Sequence, residues 1–240
     1  MIRVTVWNEY RHERTPGIIQ DIYPEGMHKV IADCLGEAGF EVRTAVLDEP
    51  ECGLTDEVLA NTDVLFWWGH GAHLEVPDEI VEKVAQRVYD GMGMIFLHSA
   101  HDSKLFKKFM GAPAGMLKWR ESGDKEVLWV IDPTHPIVEG LSLGDRIELE
   151  HEEMYGEHFN TAIPDELVFI SWFSGGEVFR SGCVYKRGRG KIFYFRPGHE
   201  SFPTYYNKDV QRVLINASKY VYTPAPVKEF HYGWSEEAVK

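Results

Sequence analysis

Two stretches of the chain decide its fold: residues 63–73, DVLFWWGHGAH, and residues 93–103, GMIFLHSAHDS. Each begins with a nearly unbroken apolar run, 63–68 or 93–97, and passes at once into a short polar segment that contains two histidines. An apolar run of this length, bounded by glycine or polar residues, is typical of a strand that is covered on both faces. We therefore predict two central strands of a parallel sheet, each followed by a pair of histidines.

The segments around these two runs alternate between strand and helix. The patterns indicate strands at 2–7 and 40–47 and helices at 24–39, 55–60 and 77–89. Strands that alternate with helices at this spacing form right-handed crossovers and a parallel sheet. We therefore predict an α/β fold with a mostly parallel, doubly wound sheet.

Beyond residue 118 the chain becomes rich in strands. The predicted strands are 125–131, 146–150, 167–172, 178–186 and 191–195, and a closing helix covers 204–220. The RGRG sequence at 187–190 suits a hairpin turn between the last two strands. The alternation after Arg146 predicts one inward face and one solvated face. The inward face holds Ile147, Leu149, His151 and Glu153, and the solvated face holds Glu148, Glu150 and Glu152.

The composition is that of a globular protein and excludes several classes of function. The 240 residues carry a formal net charge of −13, which repels phosphate backbones and anionic lipid, so we expect neither a nucleic-acid partner nor a membrane partner. The three cysteines, Cys34, Cys52 and Cys183, have no CxxC spacing and predict neither disulfides nor a thiolate zinc site. No signal peptide or membrane span is visible, and we expect a cytoplasmic protein with one domain at 1–222. In the tail at 223–240, Phe230, Tyr232 and Trp234 favour packing on the same chain or in a homo-oligomer.

Histidines cluster at the predicted ends of strands. Six of the eleven directly follow a predicted strand: His70, His73, His98, His101, His151 and His199. The first strand is likewise followed by the polar residues 8–12, NEYRH. Since the carboxyl ends of parallel strands meet at one edge, where open α/β sheets bind their ligands, we expect these side chains to gather around one site. The simpler alternatives are solvated loop histidines at 70 and 73 and a capping role for Ser99.

Five strings of sequence resemble the ThuA-like (trehalose utilisation) family of the class I glutamine amidotransferase-like superfamily, over about residues 2–222. They are VWNEYRHE (6–13), YPEGMH (23–28), FWWGHGAH (66–73), FLHSAHDS (96–103) and FRPGHE (195–200). The resemblance implies a flavodoxin-like sheet, with His98 and Ser99 at the elbow that carries the amidotransferase cysteine. It also implies that His199 and Glu200 stand where the catalytic histidine and glutamate lie. The elbow of this chain has no cysteine, so thioester chemistry on glutamine is disfavoured.

Three chemistries remain open at this site. The first is a divalent metal, with zinc as the first choice, held by His70, His98, Glu153 and His199. The second is metal-free acid–base catalysis, in which His199, oriented by Glu200 or Glu153, activates Ser99 or removes a proton beside a sugar keto group. We expect no nucleotide cofactor.

The third possibility is a polar pocket that binds a sugar without turnover. The side chains predicted to contact a sugar are Asn8, Glu9, Arg11, Trp68, His73 and His101. The resemblance implies a protein of trehalose or related disaccharide metabolism. We expect a hydrolase or lyase on a keto-sugar, in which His98 and His199 assist catalysis with or without a divalent metal, and a non-catalytic sugar-binding protein is the alternative.

Overall fold

The computed structural model describes residues 1–111 and 113–224, and nine strands of this part of the chain form one sheet. The strands are β1 (Arg3–Asn8), β2 (Glu41–Val46), β3 (Val64–Trp68), β4 (Gly93–Leu97), β5 (Lys118–Val130), β6 (Arg146–Gly156), β7 (Glu166–Phe173), β8 (Val178–Arg187) and β9 (Gly190–Phe195). The helices are α1 (Ile18–Ile22), α2 (Met27–Glu37), α3 (Asp56–Ala60), α4 (Asp78–Tyr89), α5 (Lys104–Met110) and α6 (Lys208–Val221). The α/β class is therefore confirmed.

The sheet is mixed, with a parallel half and an antiparallel half. Its strand order is β2-β1-β3-β4-β9-β8-β7-β5-β6. The four pairings from β2 to β9 are parallel, and the four from β9 to β6 are antiparallel. The prediction of a mostly parallel sheet is therefore wrong for the whole sheet, because the strands after residue 118 join it as an antiparallel extension.

Apolar cores on both faces of the sheet explain the unbroken apolar runs of the sequence. In β3, Leu65 and Trp67 pack in the core that contains α4 and α5. Phe66 and Trp68 pack in the opposite core, with α2 and α6. A strand with alternate side chains in two cores has no solvent-facing position, and it needs apolar residues throughout.

The antiparallel extension differs from its predicted form at one bulge. β5 and β6 are both longer than predicted, and Glu126 pairs with Leu149, whereas Asp124 pairs with Glu152. The extra residue on β6 shifts the alternation of its side chains. His151, predicted to face inward, is exposed, and Glu152, predicted to be solvated, is completely buried. Both predictions are wrong for this reason.

In the described part of the chain, no helix has the length and apolarity that a membrane crossing requires. The three cysteines are buried and unpaired. The predicted tail residues Phe230, Tyr232 and Trp234 lie outside the described residues, and the homo-oligomer stays a prediction.

Candidate active site

A tight turn at the end of β4 holds His98 at the carboxyl edge of the parallel half. The backbone of His98 has φ of 50°, in the left-handed region that non-glycine residues seldom adopt. Such a conformation persists only where surrounding contacts hold it. The phenol of Tyr194 donates to the His98 carbonyl at 3.1 Å, and the ring of His98 is completely buried. The residue at the elbow is thus a fixed imidazole.

The hydrogen bonds of His98 determine where its proton lies. Nδ1 is 3.1 Å from the backbone carbonyl of Arg196, which can only accept, so Nδ1 carries a hydrogen. Nε2 faces the Glu153 carboxylate, 3.1 Å from its Oε2, with the Tyr155 phenol at 3.4 Å, and it donates to that carboxylate only when the ring carries a second proton. His98 therefore presents Nε2 to the carboxylate in a fixed orientation.

His98, Glu153 and His199 form a buried cluster, which we call the inner group. The His98 and His199 rings lie 5.2 Å apart, centroid to centroid, and one ligand atom from each of the three residues lies within 4.8 Å of the others. Burial alone would raise the pKa of Glu153, but the hydrogen bond and charge of His98 hold it below its usual value. Burial, together with the neighbouring His98, lowers the pKa of His199. The expected convergence of distant histidines is present in the structure.

The tautomer of His199 is set by its own backbone. The N–H of Ser201 donates to Nδ1 of His199 at 3.2 Å, so the neutral ring carries its proton on Nε2. That nitrogen faces three carboxylates, with Glu153 at 3.9 Å and Glu121 and Glu200 at 3.8 Å. His199 is therefore arranged to donate a hydrogen into the cluster.

A second cluster, His12, His70 and Glu200, lies beside the first, and we call it the rim group. Nδ1 of His70 is 3.0 Å from Oε1 of Glu200, and Nδ1 of His12 is 3.7 Å from the same oxygen. Burial alone would raise the pKa of Glu200, but the close contact with His70 and the charges of the nearby imidazoles lower it to about 2. Burial opposes the charge on His70, yet Glu200 raises its pKa above the usual value. Each group of this pair therefore favours the charged form of the other.

Glu9 holds the loop that carries His70. Its buried carboxylate accepts the backbone N–H groups of His70, Gly71 and Ala72 at 2.7, 2.9 and 3.0 Å. Its Oε1 also lies 3.6 Å from Nε2 of His12. Glu9 thus positions the loop that carries His70 and also lies beside His12.

Arg196, a residue that no sequence pattern singled out, ties the two halves of the sheet together. Its completely buried guanidinium contacts the buried carboxylates of Glu126 and Glu152 and donates to the Glu153 carbonyl at 2.5 Å. Its own carbonyl receives the His98 N–H. Glu152 also accepts the N–H of Gly198 at 3.0 Å. Arg196 therefore fixes the backbone at Glu153 and, through its own carbonyl, the orientation of the His98 ring.

A cavity of about 420 Å³ opens above these clusters. Its lining residues are His70, His73, Ser99, His101, Asp102, Gly115, Met116, Leu117, Trp119, Glu121, Glu153 and Tyr155. Such a volume lies within the usual range of small-molecule sites. Trp119, on β5, is 65% exposed. Trp119, Glu121 and Tyr155 were not predicted as cavity residues, because a tryptophan near a sheet edge gives no signal in the sequence that it lines a cavity.

The residues predicted to contact a sugar divide into two sets. His73 and His101 line the cavity, and burial lowers the pKa of both, to about 3 for His101. Trp68 is instead buried in the core and donates its indole N–H to the Gly198 carbonyl at 3.1 Å. The other three residues lie elsewhere.

Those three residues, Asn8, Glu9 and Arg11, serve the surrounding structure. Asn8 is buried and donates to Glu13 at 2.6 Å, and Glu9 caps the loop of His70. Arg11 pairs with Asp48 and with Glu75 near the surface. None of the three is among the residues that line the cavity in the described chain.

Ser99 lines the cavity but is not arranged as a nucleophile. Its hydroxyl donates to the Gly69 carbonyl at 2.9 Å, so its proton is engaged away from any base. The described residues place no histidine within hydrogen-bonding distance of this oxygen. The expected activation of Ser99 by His199 therefore has no support in this geometry.

Comparison with known proteins agrees with the resemblance seen in the sequence. The family model described as trehalose utilisation (ThuA) matches residues 3–221. No curated protein matches the sequence at a significant level. Among solved structures, a ThuA-like protein from Parabacteroides merdae aligns with a TM-score of 0.68 at 15% identity, covering 95% of this chain and 92% of its own.

Two further solved structures are similar in fold. A ThuA-like protein from Bacteroides uniformis gives a TM-score of 0.65 at 15% identity, over 92% of this chain and 91% of its own. A cytoplasmic protein from Salmonella typhimurium gives 0.62 at 15% identity, over 92% and 99%. At this level of identity the likenesses show a shared fold, whereas the family model covers nearly all of the described chain. The chain therefore belongs to the trehalose utilisation (ThuA) family.

Proposed function

We propose that this protein is a hydrolase or lyase of carbohydrate metabolism that acts on trehalose or a related sugar, with a keto-disaccharide as the first candidate. Membership of the trehalose utilisation family supports the substrate class. The arrangement of acid and base groups in the cavity supports catalysis.

The observation that carries the proposal is a pair of titratable groups with opposite pKa shifts in one cavity. Glu153 has a lowered pKa and stays ionised, whereas His70 has a raised pKa and stays protonated to higher pH. Both line the cavity. In many enzymes the general base and the general acid are two titratable groups whose surroundings shift their pKa values in opposite directions.

An elimination reaction uses this pair directly. Glu153 takes a proton from the sugar carbon next to the keto group, the electron pair of that C–H bond forms a C=C bond, and the C–O bond to the leaving group breaks. The His70 imidazolium gives its proton to the departing oxygen. In the hydrolytic version, Glu153 instead takes a proton from a water whose oxygen bonds to the glycosidic carbon, the C–O bond to the leaving group breaks, and His70 again gives its proton to the departing oxygen.

The remaining imidazoles hold this pair in place. His98 faces the Glu153 carboxylate from the buried side and fixes its orientation. His199 directs Nε2–H toward Glu153 and Glu200 and so favours their ionised forms. We therefore assign His98 and His199 as positioning residues, because neither ring lines the cavity.

The exposed face of Trp119 is suited to a sugar ring. Tryptophan combines a large apolar ring face with an indole N–H that can donate a hydrogen bond. Glu121 and Asp102 supply carboxylates for sugar hydroxyl groups in the same cavity. A small-molecule carbohydrate is thus the proposed partner.

Two finer features belong to the same proposal. The order β2-β1-β3-β4-β9 of the parallel half supports a flavodoxin-like core, since the order 2-1-3-4-5 defines that class. A cytoplasmic location is proposed by analogy with the Salmonella protein.

The test is a panel of mono- and disaccharides and their 3-keto derivatives, followed by chromatography and mass spectrometry of products. We expect turnover of at least one keto-sugar. If a sugar binds saturably and none is converted, the protein is a sugar-binding accessory protein. If none binds, the carbohydrate assignment fails.

A further inference from the structure

We infer that the rim group, His12, His70 and Glu200, is a binding site for a divalent transition-metal ion such as Zn²⁺. This differs from the metal site expected from the sequence, which combined His70 with the inner group. It does not require that the protein turn over a sugar.

The charge balance around Glu200 calls for a cation. The residue is 3% exposed, and within the described chain no lysine, arginine or backbone N–H donates to its carboxylate. Its partners are imidazoles only. By contrast, Glu9 is satisfied by three backbone N–H groups. Because a buried ionised carboxylate is costly unless a positive charge compensates it, Glu200 needs such a charge beside it, either on a protonated imidazole or on an ion that it shares with the two rim histidines.

The distances fit a shared ion better than a direct hydrogen bond. Nδ1 of His70 lies 3.0 Å from Glu200 Oε1, but this contact does not have the geometry of a hydrogen bond. Two ligand atoms on one zinc ion lie about 2.9 to 3.4 Å apart, given metal–ligand distances near 2.1 Å. His12 Nδ1 lies 3.7 Å from the same oxygen, and the three ligand atoms lie within 4.8 Å of one another, so the side chains must move closer together around an ion.

The second nitrogen of His12 has the partner that a metal-binding histidine requires. With Nδ1 on the ion, Nε2 carries the proton and faces Oε1 of Glu9 at 3.6 Å. Metal-bound histidines usually direct their other N–H toward a carboxylate or carbonyl, which fixes the tautomer. Glu9 is anchored by the loop and supplies that carboxylate.

The inner group is less suited to the ion. The Ser201 N–H places the proton of the neutral His199 ring on Nε2, and this is the nitrogen that faces Glu153. A metal ligand must offer a lone pair there. The rim side chains of His12 and His70 are also about one third exposed, at 32% and 34%, so an ion has a path from solvent.

Three protein ligands leave coordination positions for water or a ligand oxygen. Since His70 lines the cavity, an open position there can take a hydroxyl or carbonyl oxygen of the bound molecule. With the ion bound, His70 is a neutral ligand and does not have the proton that the elimination above assigns to it, so that acid role belongs to the metal-free protein and the ion would supply the positive charge at this position instead.

The test measures metal binding directly on tag-free protein stripped with EDTA. Zn²⁺ is titrated by calorimetry, and Co²⁺ is added for its visible absorption, which reports histidine coordination. We expect one ion per chain. His12→Ala and Glu200→Gln should weaken binding by about 100-fold or more, because loss of an outer-sphere partner alone costs roughly 10- to 100-fold. His98→Ala tests the inner group, and His73→Ala controls for adventitious histidine binding; both should leave the affinity unchanged.

Each other outcome overturns the inference. No saturable binding to the wild type does so, and so does binding that survives His12→Ala but is lost in His98→Ala, or that His73→Ala weakens equally. Thermal unfolding of the stripped variants checks the fold, and His12 is exposed enough to tolerate alanine. Loss of the proposed function would appear as absent sugar turnover with zinc binding intact, so the two failures are distinguishable.

Discussion

The inner group and the rim group contain the same donors, two imidazoles and one glutamate, but they differ in burial and in proton position. The inner group is almost inaccessible, and a backbone carbonyl and a backbone N–H fix the tautomers of its two rings. The rim group is partly open, and imidazoles alone face its carboxylate. The same composition thus gives two kinds of site. In the inner group, two rings of fixed orientation hold the carboxylate of Glu153, and in the rim group the carboxylate of Glu200 needs a cation.

The largest expected difference between the two regions concerns the stability that an arginine beside each of them contributes. Arg196→Ala leaves Glu126 and Glu152 as uncompensated buried carboxylates, so we expect the free energy of unfolding to fall by about 3 to 5 kcal/mol. The matched control is Arg11→Ala near the rim, whose ion pairs with Asp48 and Glu75 are partly exposed. That variant should lose less than about 1 kcal/mol. Urea unfolding measures both values, and equal losses would remove the distinction between the two supports.

The next effect concerns catalysis in the inner group. Glu153→Gln keeps the shape of the side chain but cannot accept a proton, so we expect kcat to fall by about 100-fold or more. Glu121→Gln is the control, because Glu121 lines the same cavity and also faces His199 but is 53% exposed. Its kcat should stay near the wild-type value, and loss of the contact proposed between Glu121 and a sugar hydroxyl should appear in KM. A Glu153→Gln variant with the wild-type kcat would mean that Glu153 is not the base.

The rim group should be recognisable by its pH dependence in metal-free protein. Glu200 has a pKa of about 2 in the folded chain against an ordinary 4.5, so its contribution to stability is present above pH 4.5 and is lost as the pH falls toward 2. The raised pKa of His70 acts in the opposite sense: its contribution is full below pH 6.5 and is lost as the pH rises through the folded value.

We therefore expect Glu200→Gln to remove on the order of 2 kcal/mol of acid dependence between pH 5 and pH 3. Urea unfolding at several pH values, in EDTA, measures it. The control is Glu153→Gln. The pKa of Glu153 is also lowered, but not to about 2, so this variant should change the free energy of unfolding between pH 5 and pH 3 less. If Glu200→Gln leaves the pH dependence in this range unchanged, Glu200 is not the ionised carboxylate that we describe.

The parallel half and its histidines could be predicted from the sequence because their positions depend on local pattern. The apolar strands β3 and β4 end at fixed points, and parallel strands deliver the residues after them to one edge of the sheet. His70, His98 and His199 were found in this way. The bulge before Glu152 has no local signature in the sequence. The extra residue that it adds to β6 reversed the predicted burial of His151 and Glu152.

The supporting contacts could not be predicted for a different reason. Arg196 meets Glu126 and Glu152 across 70 and 44 residues of chain, and nothing in the pattern of any one segment marks these partners. Trp68 was predicted to face a sugar because it ends a strand, but a strand with cores on both faces buries its tryptophans. Trp119, in the antiparallel extension, reaches the cavity instead.

The smallest expected effect separates binding from the chemistry of both groups. If Trp119 stacks on the sugar, Trp119→Ala removes a contact that is equal in the ground and transition states. We therefore expect KM to rise by about 10-fold, or about 1.4 kcal/mol, while kcat changes little. Trp119→Phe should restore most of the affinity, since it keeps an aromatic face.

Trp129 provides the control, because it lies on the same strand and is 43% exposed but does not line the cavity. Trp129→Ala should leave both constants unchanged. A fall in kcat at constant KM in Trp119→Ala would place the indole beside the reacting atoms and would remove the proposed division of labour. A shift in KM alone would instead show that the antiparallel extension, whose strand β6 also carries Glu153, binds the sugar ring through Trp119, while the rim group lies in the loops that follow strands of the parallel half.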